Sequence, residues 1–311
     1  MATLKHVTWT QRRIGVIVVV VLLVGALLGT WALLDPRDSQ QQNASAKAAS
    51  APAPAPSPVS TPASAPPPFR ATIHNTGARG PMRTVGSRTV TRDGAVVRNL
   101  RIRGQLTIEA DDVLVENVHV YSGASYGILV RGKRATIQWT TIQGTPGATL
   151  AGLAADEVGS FRAIRIRVMD VEDGVRLSNL CVLRRSFIYR LAGHSGSHYD
   201  GVTADGYRGW RIMGNRILNR HAQTSAVWIG DPRYAPSAGL LQNNILAGGG
   251  YTLYAGPSTG LGLRVIGNRF STAGFPRAGR WGPVTAWSAA GNEWRDNTWL
   301  GGPRDGREVQ P

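Results

Sequence analysis

From about residue 99 onward, apolar and polar residues alternate in short bursts that recur at a nearly fixed interval. One set of bursts reads NLRIRG, NVHVYSG, WTTIQG, RSFIYR, GNRILN, NNILAG, GNRFST and DNTWLG. Their apolar centres are Ile102, Val120, Ile142, Ile188, Ile217, Ile245, Phe270 and Trp299, spaced by 18, 22, 46, 29, 28, 25 and 29 residues. The interval of 46 holds two coils, the missing one centred near Ile166 in RAIRIRVMD. A second set runs out of phase, led by Ile128, Leu150, Val175, Val202, Val227, Leu253 and Val284. Alternation of period two predicts strands with one buried face. Two short strands in each interval, separated by Gly, Asn and Asp, leave no room for crossover helices. An antiparallel sandwich does not return the same residue types at the same phase. Stacked parallel coils do, because each buried residue lies over its counterpart one rung away. The pattern predicts about nine such coils.

Asparagine follows the same phase. Asn215, Asn243, Asn268 and Asn297 each precede an apolar centre, so stacking places them in a ladder at one turn. Asn suits that place, since it tolerates left-handed backbone and bonds its neighbours' amides. The strands of the form G-[IV]-x-[VLIA], the GNRI and GNRF rungs and the stacked asparagines resemble the right-handed parallel β-helix proteins of the pectate-lyase-like group, over residues 85–303. The resemblance implies an all-β, right-handed solenoid. That group holds polysaccharide lyases, glycoside hydrolases, uronate epimerases and non-catalytic adhesion or spike proteins, so fold alone leaves activity open. The segment GHSGSHYDGV at 193–202 resembles the His-x-Asp-Gly strand starts of exported β-helix proteins. It lacks the NTD, DD, GHG and RIK set of polygalacturonase-type hydrolases and the Tyr-x-x-Asp-x-His order of mannuronan epimerases.

The N-terminal fifth is different. Residues 14–34 form an uncharged apolar run, preceded by Lys5, Arg12 and Arg13 and followed by Asp35, Arg37 and Asp38. At about 1.5 Å per helical residue the run spans roughly 30 Å, a bilayer core. The basic flank places residues 1–13 in the cytoplasm and the rest of the chain outside, as a single-pass protein of the cell membrane. The alternative is a cleaved signal peptide and a secreted product, for which the apolar run is long. Residues 35–69 are rich in Pro, Ala and Ser, an extended spacer that reaches on the order of 100 Å. The solenoid domain then occupies residues 70–311. Residues 70–94 are expected to cap its first coil, and Trp281, Trp287, Trp294 and Trp299 its last.

Charge narrows the partner. The domain carries 30 Lys and Arg against 17 Asp and Glu once the five and two before residue 70 are set aside, and all its basic residues but Lys133 are Arg. A basic surface attracts polyanions. Outside a membrane these are acidic polysaccharides or cell-wall polymers, and nucleic acid is not expected. The lone Cys181, in an apolar strand, excludes an intrachain disulfide and reads as a buried thiol.

The second set of strands serves as a ruler for outward positions. Two residues before its apolar leads lie Tyr126, Ala148, Asp173, Asp200, Ser225 and Tyr251, which makes Asp173 and Asp200 neighbours on adjacent coils, about 4.8 Å apart. One residue after the leads lie Leu129, Arg176, Thr203, Trp228, Tyr254 and Thr285. A cation, a hydroxyl and aromatic rings in a row suit a sugar chain. Asp173, Asp200 and Glu172 are the candidate ligands of a Ca²⁺ ion. His198 or Tyr199, with His221 as the other choice, are candidates for the base of a β-elimination, and Arg176, Thr203, Trp228 and Tyr254 for substrate binding. A carboxylate pair tolerates its own repulsion by sharing a proton, binding a cation or facing Arg. Two functions remain open: a lyase-like enzyme on an acidic cell-surface polysaccharide, or a non-catalytic glycan-binding or structural module. Convergence of His198, Asp200 and Asp173 on one accessible spot separates them.

Overall fold

The computed structural model describes residues 69–230, 237–256 and 262–311. The expected membrane helix at 14–34 and the spacer up to residue 68 lie outside the described residues. Among the described residues no helix is long and apolar enough to cross a membrane.

The chain winds as a parallel β-solenoid of about seven regular turns, preceded by three longer strands, β1 (Arg83–Val90), β2 (Val96–Ile108) and β3 (Leu114–Tyr121). The sequence interval overcounted the turns, because β1 to β3 carry the same alternation without breaking into three short strands. Each regular turn adds one strand to each of three parallel ladders, here called A, B and C in chain order. Ladder A runs from Tyr126–Val130 to Gly282–Thr285, ladder B from Ala135–Gln138 to Glu293–Arg295, and ladder C from Thr141–Gln143 to Thr298–Leu300. Ladder B, which the sequence pattern did not separate from its neighbours, makes the cross-section three-sided.

Registry confirms most of the stacking. In ladder A, Leu106, Ile128, Leu153, Val175, Val202, Val227, Leu253 and Val284 lie over one another. In ladder C the column is Ile102, Val120, Ile142, Val168, Ile188, Ile217, Leu246, Phe270 and Trp299. Three expected members shift. Val168 replaces the position near Ile166, Leu246 replaces Ile245, and Leu153 replaces Leu150, which is 37% exposed. The partner of Asp173 one rung back is accordingly Ala151, not Ala148.

The last two shifts have local causes. In Asn243-Asn244 the first residue takes the left-handed bend (φ 55°) between ladders B and C, and the second turns inward. The buried column is therefore Asn215, Asn244, Asn268 and Asn297. Asn215 Nδ2 donates to Asn244 Oδ1 (3.0 Å), Asn244 to Asn268 (2.9 Å) and Asn268 to Asn297 (3.0 Å). Their other amide hydrogens go to the carbonyls of Leu183, Ile212, Leu241 and Val265. Ser186 continues the column by donating its backbone N–H to Asn215 Oδ1.

A glycine at the second position of the first four ladder A strands explains Leu153. Gly127, Gly152, Gly174 and Gly201 turn toward the core at the bend from ladder C. A Cβ on Gly201 would lie 2.3 Å from Ile217 Cγ2 and 2.4 Å from the Ala226 carbonyl oxygen. The Gly152-Leu153 pair thus fixes the register, and the residue before each glycine is left pointing outward.

The two ends are closed differently. Residues 69–82 do not cap the first turn. They run along the edge between ladders B and C as a strap, with Gly77 N–H on Arg165 O (2.8 Å) and Arg79 N–H on Asn117 Oδ1 (2.7 Å). Arg79 and Arg165 each stack on Trp139 (4.6 and 4.7 Å), and Arg165 and Arg185 flank Phe69. At the other end Trp294 and Trp299 close the core with Phe270, and Trp294 Nε1 donates to Val309 O (2.8 Å). Trp281 takes no part in this cap and is 59% exposed.

Candidate functional site on face A

The bend that aims the glycines inward aims Asp173 and Asp200 outward at the start of adjacent ladder A strands. Their strands are in the expected register, Val175 against Val202 and Arg176 against Thr203. The Asp200 N–H donates to Asp173 Oδ1 (3.0 Å), and the Ser225 hydroxyl one rung further donates to Asp200 Oδ1. The two carboxyls are thus members of a polar corner ladder, each receiving a hydrogen from the next turn. Both are largely buried, at 6% and 7% exposure.

Burial pushes both carboxyls toward the protonated form. At Asp173 the push is opposed by Arg176, whose Nη2 lies 2.8 Å from Oδ2, and by the Asp200 N–H. At Asp200 the neighbouring Asp173 charge adds to burial, and hydrogen bonds from Ser225 and Thr224 do not offset it, so the group is pushed up to about 7. The result is an asymmetric pair: one carboxyl paired with Arg176 beside a second, Asp200, pushed up to about 7.

Beside the pair lies the candidate row in the order expected from sequence. Arg176, Thr203, Trp228, Tyr254 and Thr285 occupy successive rungs, all half-exposed. The Trp228 and Tyr254 rings stack at 5.0 Å and 20°, and Tyr251 meets Tyr254 edge-on at 5.7 Å. Burial raises the Tyr254 phenol, and the Asp200 and Tyr251 charges raise it further. One rung beyond Tyr251 lies Gly282, which brings the exposed Trp281 to the end of the aromatic strip. Trp281 was read as a cap. Carrying the outward ruler one rung past Tyr251 would have reached its neighbour.

The other candidates make no side-chain hydrogen bond to the carboxyl pair among the described residues. Tyr199 and His221 stack face to face (3.6 Å between ring centres), each with its polar end on a backbone carbonyl: the Tyr199 hydroxyl donates to His194 O and His221 Nε2 contacts Leu191 O (2.8 Å). His198 is exposed, and no hydrogen bond or ion pair holds its ring among the described residues. Glu172 accepts from the Ser197 hydroxyl (2.8 Å) instead of joining Asp173 and Asp200 as a third oxygen ligand. Among the described residues no group of three His, Cys, Asp or Glu side chains is placed to hold a metal ion. Arg176 is paired with Asp173, so the candidate row carries no free cation of its own.

No known protein family, curated protein or solved structure matches this chain.

Proposed function

We propose that the protein is a glycan-binding solenoid of the right-handed, pectate-lyase-like kind, and that it holds a polysaccharide lengthwise on face A. The observation that carries this reading is the row Arg176, Thr203, Trp228 and Tyr254, four different contact chemistries in register on consecutive turns. Indole and phenol rings offer broad apolar faces with a polar edge, which suits pyranose rings whose C–H faces are apolar and whose hydroxyls point outward. A rung of about 4.8 Å repeats along the axis like a linear polymer, so one strand face contacts successive sugars. Right-handed winding is the hand favoured for parallel crossovers.

The row is tested by affinity electrophoresis through gels cast with neutral and acidic polysaccharides. Wild-type protein is retarded by at least one glycan, and Trp228→Ala and Tyr254→Ala lose most of that retardation while keeping the melting temperature. Equal retardation of wild type and both variants, on every glycan that binds, would refute the site.

A catalytic second reading is favoured by one specific observation, the carboxyl pushed up to about 7 beside a second carboxyl. In this reading Asp200 donates a proton to a glycosidic oxygen, and Asp173, paired with Arg176 on the adjacent rung, is the second carboxyl. Elimination by a Tyr199 or His221 base has less support, because both polar ends are occupied by backbone carbonyls. Reducing-end release from any retarding glycan, lost in Asp200→Asn with binding intact, would establish catalysis. Binding without release would leave the module reading.

A further inference from the structure

The ladder A strands carry a single arginine, Arg176, whereas a column of arginines runs along the outer side of ladder B. Arg162 faces Val182, Val182 faces Arg211, Arg211 faces Leu240 and Leu240 faces Arg264, so arginines recur on every second rung, roughly 10 Å apart. Arg184 and Arg208 flank this column on strands Val182–Arg184 and Arg208–Met213.

Neutralisation is uneven along the face. Toward one end Arg98 pairs with Glu116, and toward the other Arg264 and Arg295 share Glu293. In the middle, Arg162, Arg184, Arg208 and Arg211 are exposed and meet no carboxylate among the described residues. The surface there is hollow. One depression of about 460 Å³ is lined by Arg208, Arg211 and Arg264, and a second of about 370 Å³ by Arg184 and Arg185. Gly209, Gly239 and Gly262 are part of the lining of the first depression. A guanidinium fork matches an oxyanion with two parallel hydrogen bonds.

We propose that the middle of face B is a second ligand surface, separate from face A, which binds a linear chain of oxyanions. The charges are carboxylates of a uronate polymer or phosphates of a phosphodiester polymer, chemistries that the arginine fork accepts alike. This inference does not depend on face A binding sugar.

The test is titration of the solenoid domain together with its native N-terminal segment, using polygalacturonate, poly(glycerol phosphate) and uncharged dextran at low and high salt. At least one polyanion binds and dextran does not depend on face B. The variant Arg162→Gln, Arg184→Gln, Arg208→Gln, Arg211→Gln binds the polyanion more than tenfold more weakly at low salt and shows a shallower salt dependence. A control with the same charge removed elsewhere, Arg83→Gln, Arg88→Gln, Arg92→Gln, Arg103→Gln, stays within about threefold of wild type. The face B variant keeps the wild-type response to uncharged glycan, which separates this surface from face A. Which polymer binds more tightly assigns the oxyanion. The proposal is overturned if neither polyanion binds, or if the face B variant and the control lose affinity equally. Matching melting temperatures for all variants show that the fold is intact.

Discussion

Faces A and B belong to the same turns of one solenoid, yet they present opposite chemistry. Face A offers aromatic rings and a pair of carboxyls buried at a bend, with its one arginine already paired. Face B offers exposed guanidinium groups around a depression lined in part by glycine. The difference arises at the bends. At the bend into ladder A, glycine faces the core and forces the preceding residue outward, where it stacks close to its neighbours and is desolvated. Polar groups there become coupled, as Asp173 and Asp200 are. On ladder B, strands such as Arg208–Met213 carry outward arginines that stand exposed to solvent. A coupled, half-buried site suits shape and protonation. An exposed row of like charges suits a screened, salt-dependent attraction.

The sharpest way to separate the faces is pH. Asp200 is raised from the ordinary carboxylate value of 3.8 to about 7, so between those values the folded protein binds more protons than the unfolded chain. The stability it contributes is complete below about pH 4 and is lost as pH rises through about 7, by at most roughly 4 kcal/mol. Asp200→Asn keeps an acceptor for Ser225 and removes the charge. Thermal melts should show it gaining on wild type as pH climbs to 8, with the slope between pH 4 and 7 flattened. The face B variant should keep the wild-type slope, since it leaves the carboxyl pair untouched.

The frame that both faces share comes next in size. Asn268→Ala would strand buried donors and acceptors on Asn244 and Asn297 and should cost about 3 kcal/mol, measured by urea unfolding. It should lower stability without favouring either ligand. A selective loss of one face's binding at full folding would show that the faces are less tied to the common ladder than described here. Smaller again is Trp228→Ala. Removing one stacked ring should weaken glycan binding by about tenfold, the 0.5–1.5 kcal/mol range of a ring contact, measured by calorimetry. Its effect should persist in high salt.

Period-two alternation and its repeat were enough to read a parallel solenoid and to bring Asp173 beside Asp200, because a buried column leaves its register in the sequence. The slips came where two adjacent residues could each fill one role. Asn243 and Asn244 compete for the bend, and only the left-handed backbone of the first decides. Leu150 and Leu153 compete for the core, and Gly152 decides. Sequence also overstated the basic character of the candidate row, since the Arg176 to Asp173 pairing lies within one strand and shows only once both side chains are placed. It missed ladder B as a separate side, and with it the place where the unpaired arginines gather. The convergence of His198 on the carboxyls was not legible either, because a side chain's direction in a Gly and Ser loop has no periodic signature.

The central claim, that one solenoid carries two ligand faces of different physical character, is tested most directly by one titration series. A polymer bearing both sugar rings and charges is titrated against wild type, Trp228→Ala and the four-arginine face B variant across a range of salt. The predicted result is that Trp228→Ala shifts affinity by a similar factor at every salt concentration, while the face B variant matters most at low salt and merges with wild type at high salt. Identical salt dependence for the two variants would contradict the account.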